Sequence, residues 1–140
     1  MPAKRYELLE HTADIYLRVY GKDLKTLFKN SAIALFDIIA EKKHGKSPNS
    51  QTIIVNKAAE NIEELLINWL SELLSLSDAK DLIFGKINVG KISDKRIEAS
   101  VSGLPRENYR IKTEVKAATY HELKIEKTKS GWQAQIIFDV

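Results

Sequence analysis

The sequence predicts an α+β domain: two helices packed on one mainly antiparallel sheet, either open or curled into a barrel-like form. Two segments repeat apolar residues at helical spacing, and the segments around them alternate with period two. The 140 residues contain no linker long enough to divide them, which fits one compact domain spanning 1–140.

Residues 5–10 read as a short strand, followed by a polar break at His11-Thr12-Ala13. From Asp14 the alternation is clean. Ile15, Leu17 and Val19 point one way, Asp14, Tyr16, Arg18 and Tyr20 the other, and Gly21 ends the strand. Asp23 is a suitable N-cap for a helix carrying Leu24, Leu27, Phe28, Ala32, Leu35, Phe36 and Ile39 on one face. That helix is expected to fade near Lys42 and Lys43, cations suited to its negative end. Gly45, Pro48 and Asn49 mark residues 44–50, which include His44, as an exposed loop.

Residues 51–55 predict a strand. Asn61 and Glu64 have capping-box spacing and open the second helix, on which Ile62, Leu65, Leu66, Trp69, Leu70, Leu73 and Leu74 recur until Asp78–Lys80. Its Trp and Leu run reads as core packing. Strands follow at 82–92, broken or bulged near Gly85 or Gly90, and at 96–102, with Ile97, Ala99 and Val101 inward. Gly103-Leu104-Pro105 reads as a turn and 109–126 as a strand or strand pair. After a turn at 127–131, the strand 132–139 puts Trp132, Ala134, Ile136 and Phe138 on one face.

The absence of cysteine excludes disulfides and thiolate metal sites, leaving oxygen and imidazole as donors. The first residues lack the apolar stretch of a secretory signal, and no apolar run is long enough to span a bilayer, so a cytoplasmic location is expected. A net charge of +3 from 22 basic and 19 acidic residues describes a mixed, solvated surface and favours RNA contact only weakly. No basic stretch interleaves with aromatic residues as a linear stacking platform would. There is no glycine-rich phosphate loop, no G-x-S-x-G and no H-E-x-x-H, which argues against an enzyme.

Two places depart from the pattern: His11 to Ile15, and Phe138-Asp139-Val140. If Asp14 lies on a strand beside Asp139, those two carboxylates and the α-carboxylate expected on Val140 converge. The repulsion of like charges would then favour a hard cation: Ca²⁺, Mg²⁺ or Mn²⁺ rather than Zn²⁺. Residue chemistry alone favours a plainer reading, in which Asp14 caps a turn and Asp139 is solvated. His121 is in phase with Val115, Ala117, Leu123 and Ile125, so a buried or half-buried histidine is expected there. His11 can orient the loop beside Asp14, and Lys116 projects from the polar face.

These places carry a resemblance. His11-Thr12-Ala13-Asp14-Ile15 resembles the opening motif of the archease family. Leu65-Leu66-Ile67-Asn68-Trp69-Leu70-Ser71-Glu72-Leu73-Leu74 resembles its L-L-x-x-W-L-x-E-L-L run. Val115-Lys116-Ala117-Ala118-Thr119-Tyr120-His121 is similar to its V-K-A-x-T-Y-H segment, and Phe138-Asp139-Val140 to its usual ending. The likeness spans nearly the whole chain. It implies an archease-like fold and a non-catalytic cofactor of an RtcB-type tRNA-splicing RNA ligase. Such a cofactor promotes guanylylation and multiple turnover of a ligase that uses GTP and Mn²⁺, with tRNA reached through the ligase and no membrane partner. It implies a metal site, most often described with calcium, at Asp14, Asp139 and Val140, and a functional lysine at Lys116, with His11 and His121 as accessory candidates. The alternatives are a metal-dependent hydrolase using Asp14 and Asp139, a chaperone or modulator of tRNA-modifying enzymes, and a module that binds RNA itself.

Overall fold

The computed structural model describes residues 4–9, 14–43 and 49–140; His11 and His44 lie outside them. Strands β1 (Tyr6–Leu9) and β2 (Ile15–Gly21) precede helix α1 (Leu24–Ile39), short strand β3 (Ala40–Lys42), strand β4 (Gln51–Ala58) and helix α2 (Ile62–Lys80). Then follow β5 (Leu82–Ile92), β6 (Arg96–Pro105), a single 3-10 turn (Arg106–Asn108), β7 (Tyr109–Ile111), β8 (Ala117–Thr128) and β9 (Gly131–Asp139). The strands form three separate sheets, ordered β1-β2-β9-β8, β4-β6-β5 and β3-β7, and every pairing is antiparallel. The α+β layout is as expected, and among the described residues it is built from open sheets, with no closed barrel.

Both helices start where side-chain acceptors meet free backbone donors. The Asp23 carboxylate accepts from the Thr26 N–H at 2.8 Å, and the Asn61 amide oxygen accepts from the Glu64 N–H at 2.9 Å. Helix α1 packs between β2 of one sheet and β5 of the other, while α2 lies mainly on β8. Trp69 of α2 is fully buried and donates its indole N–H to the Phe28 carbonyl of α1 at 3.0 Å, fastening the helices together. Phe36 of α1 meets Phe84 of β5 edge to face, with ring centres 5.6 Å apart. Of the inward faces expected from alternation, Leu17 and Val19, Ile97, Ala99 and Val101, and Ala134, Ile136 and Phe138 are buried, while Ile15 and Trp132 at the strand ends are half-buried. The bulges fall at Gly85 and Gly90, between Phe84 and Lys86 and between Val89 and Lys91.

Three expectations need correction. Helix α1 stops at Ile39, because Ala40–Lys42 pair with β7 and the Lys43 N–H donates to the Asn108 carbonyl; Lys42 is a strand residue and Lys43 follows the strand, so neither is a helix-end cation. Gly103-Leu104-Pro105 is no turn but the end of β6. Strand β4 stops pairing at Gly103, so Pro105, which has no N–H to donate, lies where β6 has only β5 as neighbour. The segment 109–126, read as one strand or a strand pair, is two strands, β7 and β8, with residues 112–116 between them. His121 is exposed. Between Thr119 and Lys124, five steps along β8 match two along β9, so the strand changes phase. Ala118 faces the core before this bulge and Ile125 after it, leaving Tyr120, His121 and Glu122 in solvent.

Candidate functional site

Strands β2 and β9 run antiparallel and their pairing ends with Ile15 opposite Phe138, so Asp14 precedes, and Asp139 follows, the last rung. On the other side of β9, Ala117 is opposite Asp139 and the Lys116 N–H donates to the Asp139 carbonyl at 2.7 Å. One end of the four-stranded sheet therefore gathers Asp14, Asp139, Val140 and Lys116, drawn from three neighbouring strand ends. Ile15 and Phe138 pack on the core side. Asp14 is half-buried; Asp139, Val140 and Lys116 are exposed.

Two carboxylates on adjacent strands repel, and a cation between them removes that cost. Among the described residues, no set of three His, Asp or Glu side chains converges to hold a metal. The remaining donors at this end are main-chain oxygens, Val140 included, and water. A hard, oxygen-liking cation that keeps several waters fits this donor set; a tetrahedral zinc site does not.

His121 is not brought into this row. It stands in the bulge of β8 with its side chain 69% exposed, 3.9 Å from the Glu122 carboxylate. His11, the candidate general base of a hydrolase, lies outside the described residues.

The face of the sheet away from the helices carries a polar row that alternation alone read as solvated. Glu7 of β1 pairs with Arg18 at 3.2 Å and accepts from the Tyr20 hydroxyl, which holds its carboxyl below the ordinary glutamate value. Tyr16 donates to the Gln135 side chain at 2.6 Å. Beyond these, the opposite end of the sheet collects Lys4, Arg5, Lys22, Lys29 and Trp132 around a cleft. No linear motif signals that cluster, because its members come from three distant parts of the chain.

Residues 6–140 match the archease protein family. The chain is 41% identical to Protein archease of Pyrococcus abyssi, with 98% of this chain and 99% of that one covered. It is 38% identical to Protein archease of Methanosarcina acetivorans, covering 98% and 97%. Its fold is similar to the solution structure of Methanobacterium thermoautotrophicum protein 1598, with a TM-score of 0.72 at 24% identity over 97% of this chain and 99% of that one. It is also similar to the crystal structure of an archease from Thermotoga maritima, described as a possible chaperone, with a TM-score of 0.63 at 20% identity over 94% of each chain. Among the described residues, no helix is long and apolar enough to cross a membrane. A match that begins in the first strand and runs through the last, joined to relatives about two-fifths identical over nearly their whole length, establishes that this chain belongs to the archease family.

Proposed function

We propose that this protein is a non-catalytic partner of an RtcB-type RNA ligase, promoting the ligase's guanylylation and its multiple turnover in tRNA splicing. The observation that supports this reading most is the row formed by Asp14, Asp139, Val140 and Lys116. The three segments through which the chain resembles ligase cofactors at its start, near residue 116 and at its end are far apart in sequence and come together at one end of one sheet.

In this reading Asp14, Asp139 and a main-chain oxygen of Val140 hold a divalent cation, calcium first and magnesium or manganese next. The cation supplies a positive centre for phosphate oxygens of a nucleotide at the ligase. Asp139 is held in position from the β8 side by the Lys116 N–H on its carbonyl, which leaves its carboxylate to the site. The Lys116 ammonium contributes a second positive charge for a phosphate or an acidic group of the ligase.

The test is multiple-turnover ligation by the RtcB-type ligase of the same organism in Mn²⁺ and GTP, with and without this protein. Stimulation by the unmodified protein, reduced about tenfold or more in Asp14→Ala and in Lys116→Ala, is the expected result. Equal stimulation by both variants would remove the acidic end from the mechanism, and no stimulation by the unmodified protein would remove the ligase as partner.

A further inference from the structure

We propose that the end of the four-stranded sheet opposite Asp14 and Asp139 is a binding cleft for single-stranded nucleic acid, with the phosphates held by Lys4, Arg5, Lys22 and Lys29 and a base stacked on Trp132. The cleft has a volume of about 880 Å³, and among the described residues four of the twelve that line it are cations while none is a carboxylate. The whole chain carries only +3, so this concentration of one sign is a property of the place and not of the composition. Of the four, Lys4 shares the Glu7 carboxylate at 3.4 Å.

The walls are held by main-chain contacts. The Tyr20 N–H donates to the Arg5 carbonyl at 2.9 Å, which ties the N-terminal cations to β2. The Asn30 side chain, almost wholly buried, donates to the Tyr20 carbonyl at 2.7 Å and ties α1 to the same strand. At the corner, a side chain on Gly131 would overlap the backbone of Gly21 and Lys22, and one on Gly21 would overlap Thr26 and Leu27. Gly131 has φ +144°, a conformation that side chains rarely adopt. Backbone thus meets backbone here, and the cations project from a stiff frame. Thr128, Ser130 and Gln133 add neutral hydrogen-bonding groups along the rim.

Trp132 decides between a nucleic acid and an acidic peptide. Carboxylates need the cations alone, whereas a large ring inside a cationic cleft matches the pairing of charge and stacking used for single strands. The ring is half-buried, and the Lys127 ammonium lies over it at 6.0 Å from its centroid. An exposed contact of that kind is weaker than base stacking, so an incoming base displaces the lysine from the ring.

The chain reports its own binding. Its two tryptophans differ, since Trp69 is fully buried and Trp132 is not, so fluorescence quenched by a ligand at the cleft comes from Trp132. The probe is a twelve-nucleotide oligouridylate, titrated by tryptophan quenching and, end-labelled, by anisotropy. Saturable binding is expected, with log affinity falling against log salt at a slope of about −3 for four neutralised phosphates. Lys22→Glu with Lys29→Glu weakens binding about tenfold or more, while Lys86→Glu with Lys91→Glu, exposed on β5 of the other sheet, leaves it unchanged. Trp132→Leu keeps apolar bulk against the core but removes the stacking surface, and weakens binding about tenfold. Asp14→Ala leaves binding unchanged, which separates this proposal from the ligase reading. No saturable binding in about 50 mM salt would overturn it. So would equal competition by polyglutamate combined with full affinity in Trp132→Leu, which would assign the cleft to acidic peptides instead.

Discussion

Strands β2 and β9 have two ends that differ in almost every physical respect, although the same residues of the sheet join them. At one end, Ile15 pairs with Phe138 as the last rung, and an aspartate adjoins that rung on each chain, Asp14 before β2 and Asp139 at the exposed end of β9. At the other, Gly21 pairs with Trp132, and the chain is packed so closely that glycine is required twice. The acidic end is made by register: a slip of one residue would send Asp14 and Asp139 to different faces. The basic end is made by steric closeness, with α1, β2 and the β8–β9 turn crowded onto one another. A site made by register holds charge at a cost in stability, whereas a site made by backbone packing is itself part of what stabilises the fold.

That contrast predicts where substitutions hurt. The largest effect belongs to Gly131→Val, which must place a branched side chain at φ +144° against the Gly21 carbonyl. A loss of about 3 kcal/mol or more in urea unfolding is expected. A loss under about 0.5 kcal/mol would mean that the corner yields and that the two ends do not differ in the way described. Next is Trp69→Phe, which acts on the frame shared by both ends. The shorter ring loses the indole hydrogen bond to the Phe28 carbonyl and leaves a void in the core, and about 2 kcal/mol should be lost. If one end alone were destabilised, as read by local hydrogen exchange, the two would not share that frame.

Asp23→Ala should cost about 1 kcal/mol by uncapping α1 beside the basic end. The backbone N–H of Thr26, and then its hydroxyl, hold the Asp23 carboxyl below its ordinary value of 3.8. A depressed acid stabilises the fold fully above that ordinary value, and its contribution is lost as pH falls through the lower folded value. Thermal melts in acid should therefore show a smaller drop for Asp23→Ala than for the unmodified chain. The smallest effect belongs to Asp139→Asn. Without divalent cation, relieving its repulsion with Asp14 should raise stability by about 0.5 kcal/mol. With millimolar calcium that gain should reverse, and a calcium-independent gain would argue against a cation between the carboxylates.

Much of the fold is legible residue by residue. Asp23 and Asn61 announce their helices, because short polar side chains before an apolar repeat can satisfy orphan N–H groups. Gly85 and Gly90 mark their bulges. The failures share a cause in distant pairing. Ala40–Lys42 leave the helical path because β7, some seventy residues on, offers ladder hydrogen bonds. His121 leaves its phase because the extra residues between Thr119 and Lys124 are accommodated by β9, not by anything in their own sequence. The acidic residues of the candidate site were legible through their family-like motifs, whereas the basic cleft was not. Lys4, Lys22 and Lys29 stand in separate segments and belong to no motif, and Trp132 reads as part of the apolar face of its strand.

By itself, then, the sequence determined most local states: where both helices begin, where the long strands run, and which face is apolar wherever a strand keeps its phase. Those follow from hydrogen-bonding needs and side-chain periods that act within a few residues. Only the tertiary structure decided that residue 14 stands beside residue 139 and residue 22 near residue 132. Strand order and register are chosen by burying the apolar faces of all the elements together, and no short stretch of chain contains that competition.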